Sequence, residues 1–316
     1  MVPLYGATGR RVIRLAGEVF GWTTRRPGIR TVLDMSILTV PQTKCPPIAP
    51  KLIGFPVLPV ALIALAKTVL HVAFSGRYGW HRDELYLFSM GRHLDAGSVD
   101  VAPLTPTVAH LVDLVAGPSL VALRATTAFA GALTVVVVAL TARELGGRRY
   151  GQIGAALAAA TCPLLLGTNG LFQPVSFDQL VWTVVLLLVV RLLRTRDAVW
   201  LIPLGGAVGV GIETKYTVLG LVAALVTVIA PSKRARTILR TRQVILAAAV
   251  ALLVAAPNLW WQATHGWPSI AFFTGHNGEV RAEYPPSKYL LELCMLAGVA
   301  GLPLCIAGAV WLWRTT

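Results

Sequence analysis

The chain has 316 residues, of which 55% are hydrophobic and only 13% charged, and it carries a formal net charge of +14. Apolar runs of about 20 residues, at about 1.5 Å per residue, match a hydrocarbon core of roughly 30 Å, which excludes an ordinary soluble fold and predicts an all-α polytopic membrane protein. The basic excess calls for no nucleic-acid partner, because Lys and Arg collect on the cytoplasmic side of membrane proteins, and the four cysteines have neither metal-ligand spacing nor the density of a disulfide framework.

Residues 1–51 contain Arg10, Arg11, Arg14, Arg25, Arg26, Arg30 and Lys44 but no span-length apolar run. Nothing there resembles a cleavable signal, so a cytoplasmic, partly disordered basic segment is expected. Residues 52–316 read as one transmembrane domain. Its apolar runs fall at 52–74, 119–142, 151–168, 178–193, 198–213, 216–230, 243–262 and 289–313, about eight spans, with the fifth and sixth short. With the N-terminus inside, the sequences RELGGRRY, RLLRTRD and PSKRARTILRTR also fall inside, and the positive-inside rule is met at every turn. In the first span Lys67 and His71 share a face, and Lys67 is near enough to the outer end to snorkel. Gly205, Gly206, Gly209 and Gly211 line the fifth span at spacings suited to close helix packing.

The outer loop, 75–118, concentrates charge, histidine and aromatics between two apolar spans. Its core reads GRYGWHRDELYLFSMGRHLDAGSVDVAPLTP from Gly76 to Pro106, with Asp83 and Glu84 set among His81, Arg82 and Tyr86. Two readings stand side by side: a chemical site, or amphipathic helices lying on the bilayer with Leu85, Leu87, Phe88 and Leu94 toward lipid. Most acids of the chain fall on the outer side, although charge does not require it. Four segments return there with polar groups: Asp83-Glu84, Phe177-Asp178, Glu213-Thr214-Lys215-Tyr216 and His276-Asn277-Gly278-Glu279.

Nucleotide-activated donors are not available outside the cytoplasm, whereas a sugar on a polyprenyl phosphate presents its head group at this depth. Transfer from such a donor needs one base for the acceptor proton and cations for the departing phosphate. It needs no general acid, unlike a glycosidase with its two carboxylates. One acid pair with Lys215 and Arg82 supplies that inventory.

HRDELYLFSMGRHL, DVAPLTP, FDQLVWTVV, ETKYTVL and PNLWWQATHGWP, in this order, resemble the bacterial branch of the protein O-mannosyltransferase and aminoarabinose lipid A transferase superfamily. The resemblance runs from about residue 55 to about 313. It implies a GT-C membrane bundle and an inverting glycosyltransferase that uses a polyprenyl-phosphate sugar and a lipid, glycan or protein acceptor. It further implies a place in a bacterial cytoplasmic membrane with the active site on the outer face. Asp83 matches the family's proposed catalytic base, Glu84 its partner in positioning the acceptor or a cation, Asp178 the aspartate that orients the site, and Lys215 the lysine that holds the lipid phosphate.

Around this set His81 and Arg82 are candidates for the phosphate, and Tyr86, Tyr216, Trp267 and Glu279 for substrate. Trp260, Trp261 and Trp267 fit an interfacial aromatic belt as well as a sugar platform, and Asp178 fits a first-turn helix acid as well as a site residue. No cofactor is implied. His276 and Glu279 could join Glu84 around a divalent metal, but their spacing is no ligand signature. Ala102 stands where the family has the first of two prolines, and the chain reads as truncated after its eighth span. The alternatives are therefore an inactive scaffold or truncated paralogue and, with the least support, a lipid-linked sugar transporter or flippase.

Overall fold

A computed structural model describes residues 52–229, 231, 237–238, 241–283 and 285–315; the basic segment 1–51 lies outside the described residues. Among the described residues every regular element is helical. Three helices are long and apolar enough to cross a membrane, α1 (Val57–Ser75), α4 (Leu120–Glu144) and α7 (Pro174–Thr195), and up to five spans result if two bent helix pairs each count as one. The chain is thus multi-pass, but length and composition do not confirm eight spans.

The shortfall has physical causes. The predicted third span is α5 (Arg149–Thr161) and α6 (Pro163–Asn169), bent by 54° where Pro163 lacks an N–H. The seventh is α10 (Arg242–Val254) and α11 (Ala256–Thr264), bent by 64° beside Pro257. The fifth and sixth are α8 (Leu201–Thr214) and α9 (Thr217–Ile229), 14 and 13 residues long. Helices α12 (Pro268–Glu283) and α13 (Pro286–Thr315) complete the chain, α13 with Pro303 inside it.

The outer loop folds as two short helices, α2 (Arg82–Arg92) and α3 (Leu104–Ala116), packed on each other. Gly117, at φ +64°, ends α3, and the Ser119 side chain caps α4 by accepting from the Ala122 N–H. Leu87, Phe88, Ala109, Leu123 and Phe172 form the small core that joins α2 and α3 to the top of α4.

Within the bilayer hydrophobicity does not drive helices together, so close approach depends on small residues. Helix α4 packs on α1, α5 and α7, with Ala64, Ala132, Ala139, Ala156 and Ala159 in the seam it shares with α1 and α5. The glycine reading of the fifth span holds for three positions: a Cβ on Gly211 would lie 2.7 Å from Val218 of α9, one on Gly205 would run into the Ala247 backbone, and one on Gly209 would come within 2.7 Å of Val254. Glycine at the latter two lets α8 lie against α10.

Lys67 does not snorkel. It is 4% exposed, and its Nζ donates to Leu165 O at 3.2 Å, while the His71 ring meets Leu166 O at 3.1 Å. The break at Pro163 leaves α6 a short helix ending inside the bundle, and α1 supplies polar groups for its last carbonyls. At the opposite end of the bundle from the outer loop, buried Glu144 on α4 pairs with Arg191 at 2.8 Å and Arg194 at 2.6 Å on α7.

Candidate functional site

Asp83 and Glu84 are neighbours in sequence, and on a helix of 3.6 residues per turn they point about 100° apart. One is turned out and the other in. His81 caps α2 by accepting from the Asp83 N–H at 3.3 Å, while Glu84 Oε2 accepts from the His81 N–H at 2.9 Å, a reciprocal cap. Asp83 stays exposed, with Arg82 Nε at 3.3 Å and His81 Nδ1 at 3.7 Å. Glu84 is 0% exposed.

The inward carboxylate meets a residue that the sequence reading passed over. Arg124, on the first turns of α4 and 3% exposed, donates from Nε to Glu84 Oε1 at 2.8 Å and from NH2 to Oε2 at 2.7 Å. The Phe172 N–H adds a second bond to Oε1 at 2.9 Å. The remaining Arg124 N–H groups go to the carbonyls of Ser75, Tyr78 and Gly79, where the chain leaves α1. Burial pushes the Glu84 carboxyl up, but the bonds from Arg124, Phe172 and His81 together with the Arg124 charge outweigh it and hold the group below its ordinary value of 4.5. Glu84 therefore fastens the outer loop to α4 and to the 170–173 turn, and its lone pairs are taken. An arginine near the end of an apolar span was the available signal, since intramembrane charges find partners.

Tyr86 donates its hydroxyl to Asp100 at 2.9 Å, and burial with this bond pushes the phenol up to about 12. The next part of the loop is clamped across the molecule. Trp261 Nε1 donates to Asp95 Oδ2 at 2.9 Å, the Trp261 ring stacks on His265 at 4.2 Å, and a Cβ on Gly97 would lie 2.8 Å from that ring. The Trp261 bond, with the Ala96 N–H behind it, holds the Asp95 carboxyl below its usual range. Gln262 Nε2 donates to Ser98 O at 2.8 Å and to Ser269 Oγ at 2.7 Å. Trp261 is thus a loop clamp, while Trp260 is 73% exposed, as a belt residue would be.

A second polar centre lies where α7, α8, α9 and α11 meet. Asp178 is 8% exposed and stands one turn inside α7, whose N-cap is Gln173, so it caps nothing. Its Oδ2 accepts from Thr217 Oγ1 at 2.8 Å, and the charge of Lys215 acts on it. Its Oδ1 and the indole Nε1 of Trp182, one turn on, are buried and neither makes a full hydrogen bond among the described residues, although the indole still acts on the carboxylate. Lys215 is the residue at which α8 ends, in extended backbone, before α9 begins. Tyr216, next in line, brings its hydroxyl to Asn258 at 3.0–3.1 Å and to Gln262 Nε2 at 3.3 Å, with Phe273 edge-on to its ring at 6.0 Å.

The structure therefore joins Asp178, Lys215 and Tyr216 in one region and Asp83 with Arg82 and His81 in another; no described contact links Asp83 to Asp178 or Lys215. Trp267 is 44% exposed in a left-handed turn at φ +59°. The side chains of His276 and Glu279 lie outside the described residues. Among the described residues no group of three His, Cys, Asp or Glu could hold a metal ion, and Glu84, saturated by Arg124, has no lone pair left for one.

Residues 100–261, just over half of the chain, match a family model described as dolichyl-phosphate-mannose-protein mannosyltransferase. The matched segment contains Asp178, Lys215, Tyr216 and Trp261 and leaves His81 to Tyr86 outside. No curated protein matches the chain significantly.

Proposed function

From the premise that the chain belongs to the dolichyl-phosphate-mannose-protein mannosyltransferase family, we propose that this multi-pass membrane glycosyltransferase is an inverting enzyme. It takes a sugar from a polyprenyl-phosphate donor to an acceptor hydroxyl at the outer face of a bacterial cytoplasmic membrane. The observation that carries the reading is the corner inside the matched segment, where buried Asp178 has one oxygen short of a full hydrogen bond, with only the Trp182 indole and the charge of Lys215 acting on it. A buried carboxylate left partly unsatisfied costs about 1–3 kcal/mol, and substrate hydroxyls can repair it.

The roles follow from chemistry and position. Asp83 takes the proton of the acceptor hydroxyl, the acceptor oxygen bonds to the anomeric carbon, and the bond from that carbon to the phosphate oxygen breaks. The polyprenyl phosphate leaves as an anion and meets Lys215, while Arg82 stays beside Asp83 on the acceptor side. Asp83 is solvent-exposed, with Arg82 Nε at 3.3 Å and His81 Nδ1 at 3.7 Å. Glu84 is the positioning residue beneath it, since its bonds to Arg124 and Phe172 set where α2 begins.

The test is sugar release from polyprenyl-phosphate donors by the purified chain in lipid nanodiscs, as wild type and as Asp83→Asn. Turnover by the wild type with a loss of at least about 100-fold in an equally stable variant is expected for a missing base. Equal rates would remove Asp83 from that role. An inert wild type against a broad donor panel would put the scaffold reading ahead.

A further inference from the structure

Helix α8 ends beneath the outer loop, and Glu213, its next-to-last residue, lines an open cleft of about 430 Å³. Most of the wall is apolar: Leu94, Pro103 and Leu104 from the loop, Val254 and Pro257 from the α10–α11 break. Glu213 Oε1 is buried and has no hydrogen-bond partner among the described residues. Asp95, also on the wall, is already held by Trp261 Nε1 and the Ala96 N–H. Among the described residues no lysine or arginine lines the cleft, and the charge of Lys215, two residues on, acts on Asp178.

A cleft with a buried, unpartnered carboxyl oxygen, apolar walls and no lining cation is the wrong place for a phosphate and a good one for hydroxyl or ammonium groups on an apolar-faced ring. The sugar of a phosphate-linked donor is bonded directly to its phosphate, so like-charge repulsion keeps the donor head group on the Lys215 side. An acceptor carries no such tether. We propose that this cleft is a subsite for the part of the acceptor away from the hydroxyl that Asp83 deprotonates, and that Glu213 is a specificity-determining residue there. It accepts hydrogen bonds from acceptor hydroxyl or ammonium groups and turns away acceptors with negative charge at that point. The inference rests on the glycosyltransferase reading for the word acceptor, but the binding preference itself needs no turnover.

The experiment is saturation-transfer NMR on the full chain in nanodiscs with three probes that differ only at one carbon: methyl 6-amino-6-deoxymannoside, methyl mannoside and methyl mannuronate. Wild type should bind them in that order, with about a tenfold spread in Kd between the first and the last. Glu213→Gln should collapse the spread to about threefold or less. Glu213→Asp, which keeps the charge but shortens its reach, should keep the order with weaker binding, and it stands in if the glutamine variant does not fold. An unchanged spread in Glu213→Gln, uronate bound as well as the amine, or no saturable binding of any probe would overturn the assignment. Because no donor is present, failure here is separate from failure of the donor-release assay.

Discussion

Glu84 and Asp178 are both buried carboxylates at the same end of the bundle, and the chain treats them in opposite ways. Glu84 has four donors on its two oxygens, two of them from one arginine. Asp178 has one side-chain hydroxyl, a nearby lysine and the Trp182 indole outside full hydrogen-bond geometry, so its second oxygen is only weakly held. A saturated carboxylate holds structure and has nothing left to offer a ligand. An unsaturated one keeps a deficit that substrate can fill. The contrast separates the scaffold of the outer loop from the candidate chemistry, although both residues belong to the same resemblance.

The largest effect should come from breaking the saturated side. Arg124→Met leaves Glu84 buried without its cation and three loop carbonyls without donors, a loss of about 3–5 kcal/mol, read as a fall in melting temperature and loss of monodispersity in nanodiscs. A variant as stable as wild type would show that the outer loop is held some other way. The corresponding change on the unsaturated side, Asp178→Asn, should leave the melt within about 1 kcal/mol of wild type.

A smaller and graded effect follows from pH. The folded Glu84 carboxyl titrates below its ordinary 4.5, so its contribution is complete above that value and is lost as pH falls through the folded pKa. Thermal melts should therefore drop on acidification below about pH 4.5, and that component should be missing in Glu84→Gln, which is already weaker at neutral pH. Equal acid slopes in the two proteins would place the titrating group elsewhere. The smallest effect belongs to the clamp between the regions: Trp261→Phe keeps the ring over Gly97 but removes the donor to Asp95. Because Asp95 is exposed, the cost should be about 0.5–1 kcal/mol, seen as faster amide exchange in the 94–101 segment. Unchanged exchange there would mean that the Trp261 bond does not hold the loop.

The sequence carried much of this in unequal measure. Apolar runs located the helices, and the outer loop was legible as an amphipathic-helix segment between spans, though not its division into α2 and α3. The pairing of Asp178 with Lys215 was legible only through resemblance, since they lie on different helices. The inward turn of Glu84 was not, because nothing in HRDEL says which of two adjacent acids faces the bundle until Arg124 is placed beneath it. The Trp261 clamp joins residues 166 positions apart, a distance at which local pattern carries no information. The helix breaks were signalled by Pro163 and Pro257, but apolar continuity outweighed them and made two bent pairs look like straight spans.

The most direct test of the account is equilibrium binding of polyprenyl phosphate to the chain in nanodiscs, comparing wild type with Lys215→Ala at matched thermal stability. The account predicts saturable binding by wild type, weakened at least about tenfold in the variant by loss of a charge-assisted contact to the phosphate. Equal affinity in the two proteins, or no saturable binding by wild type, would contradict it.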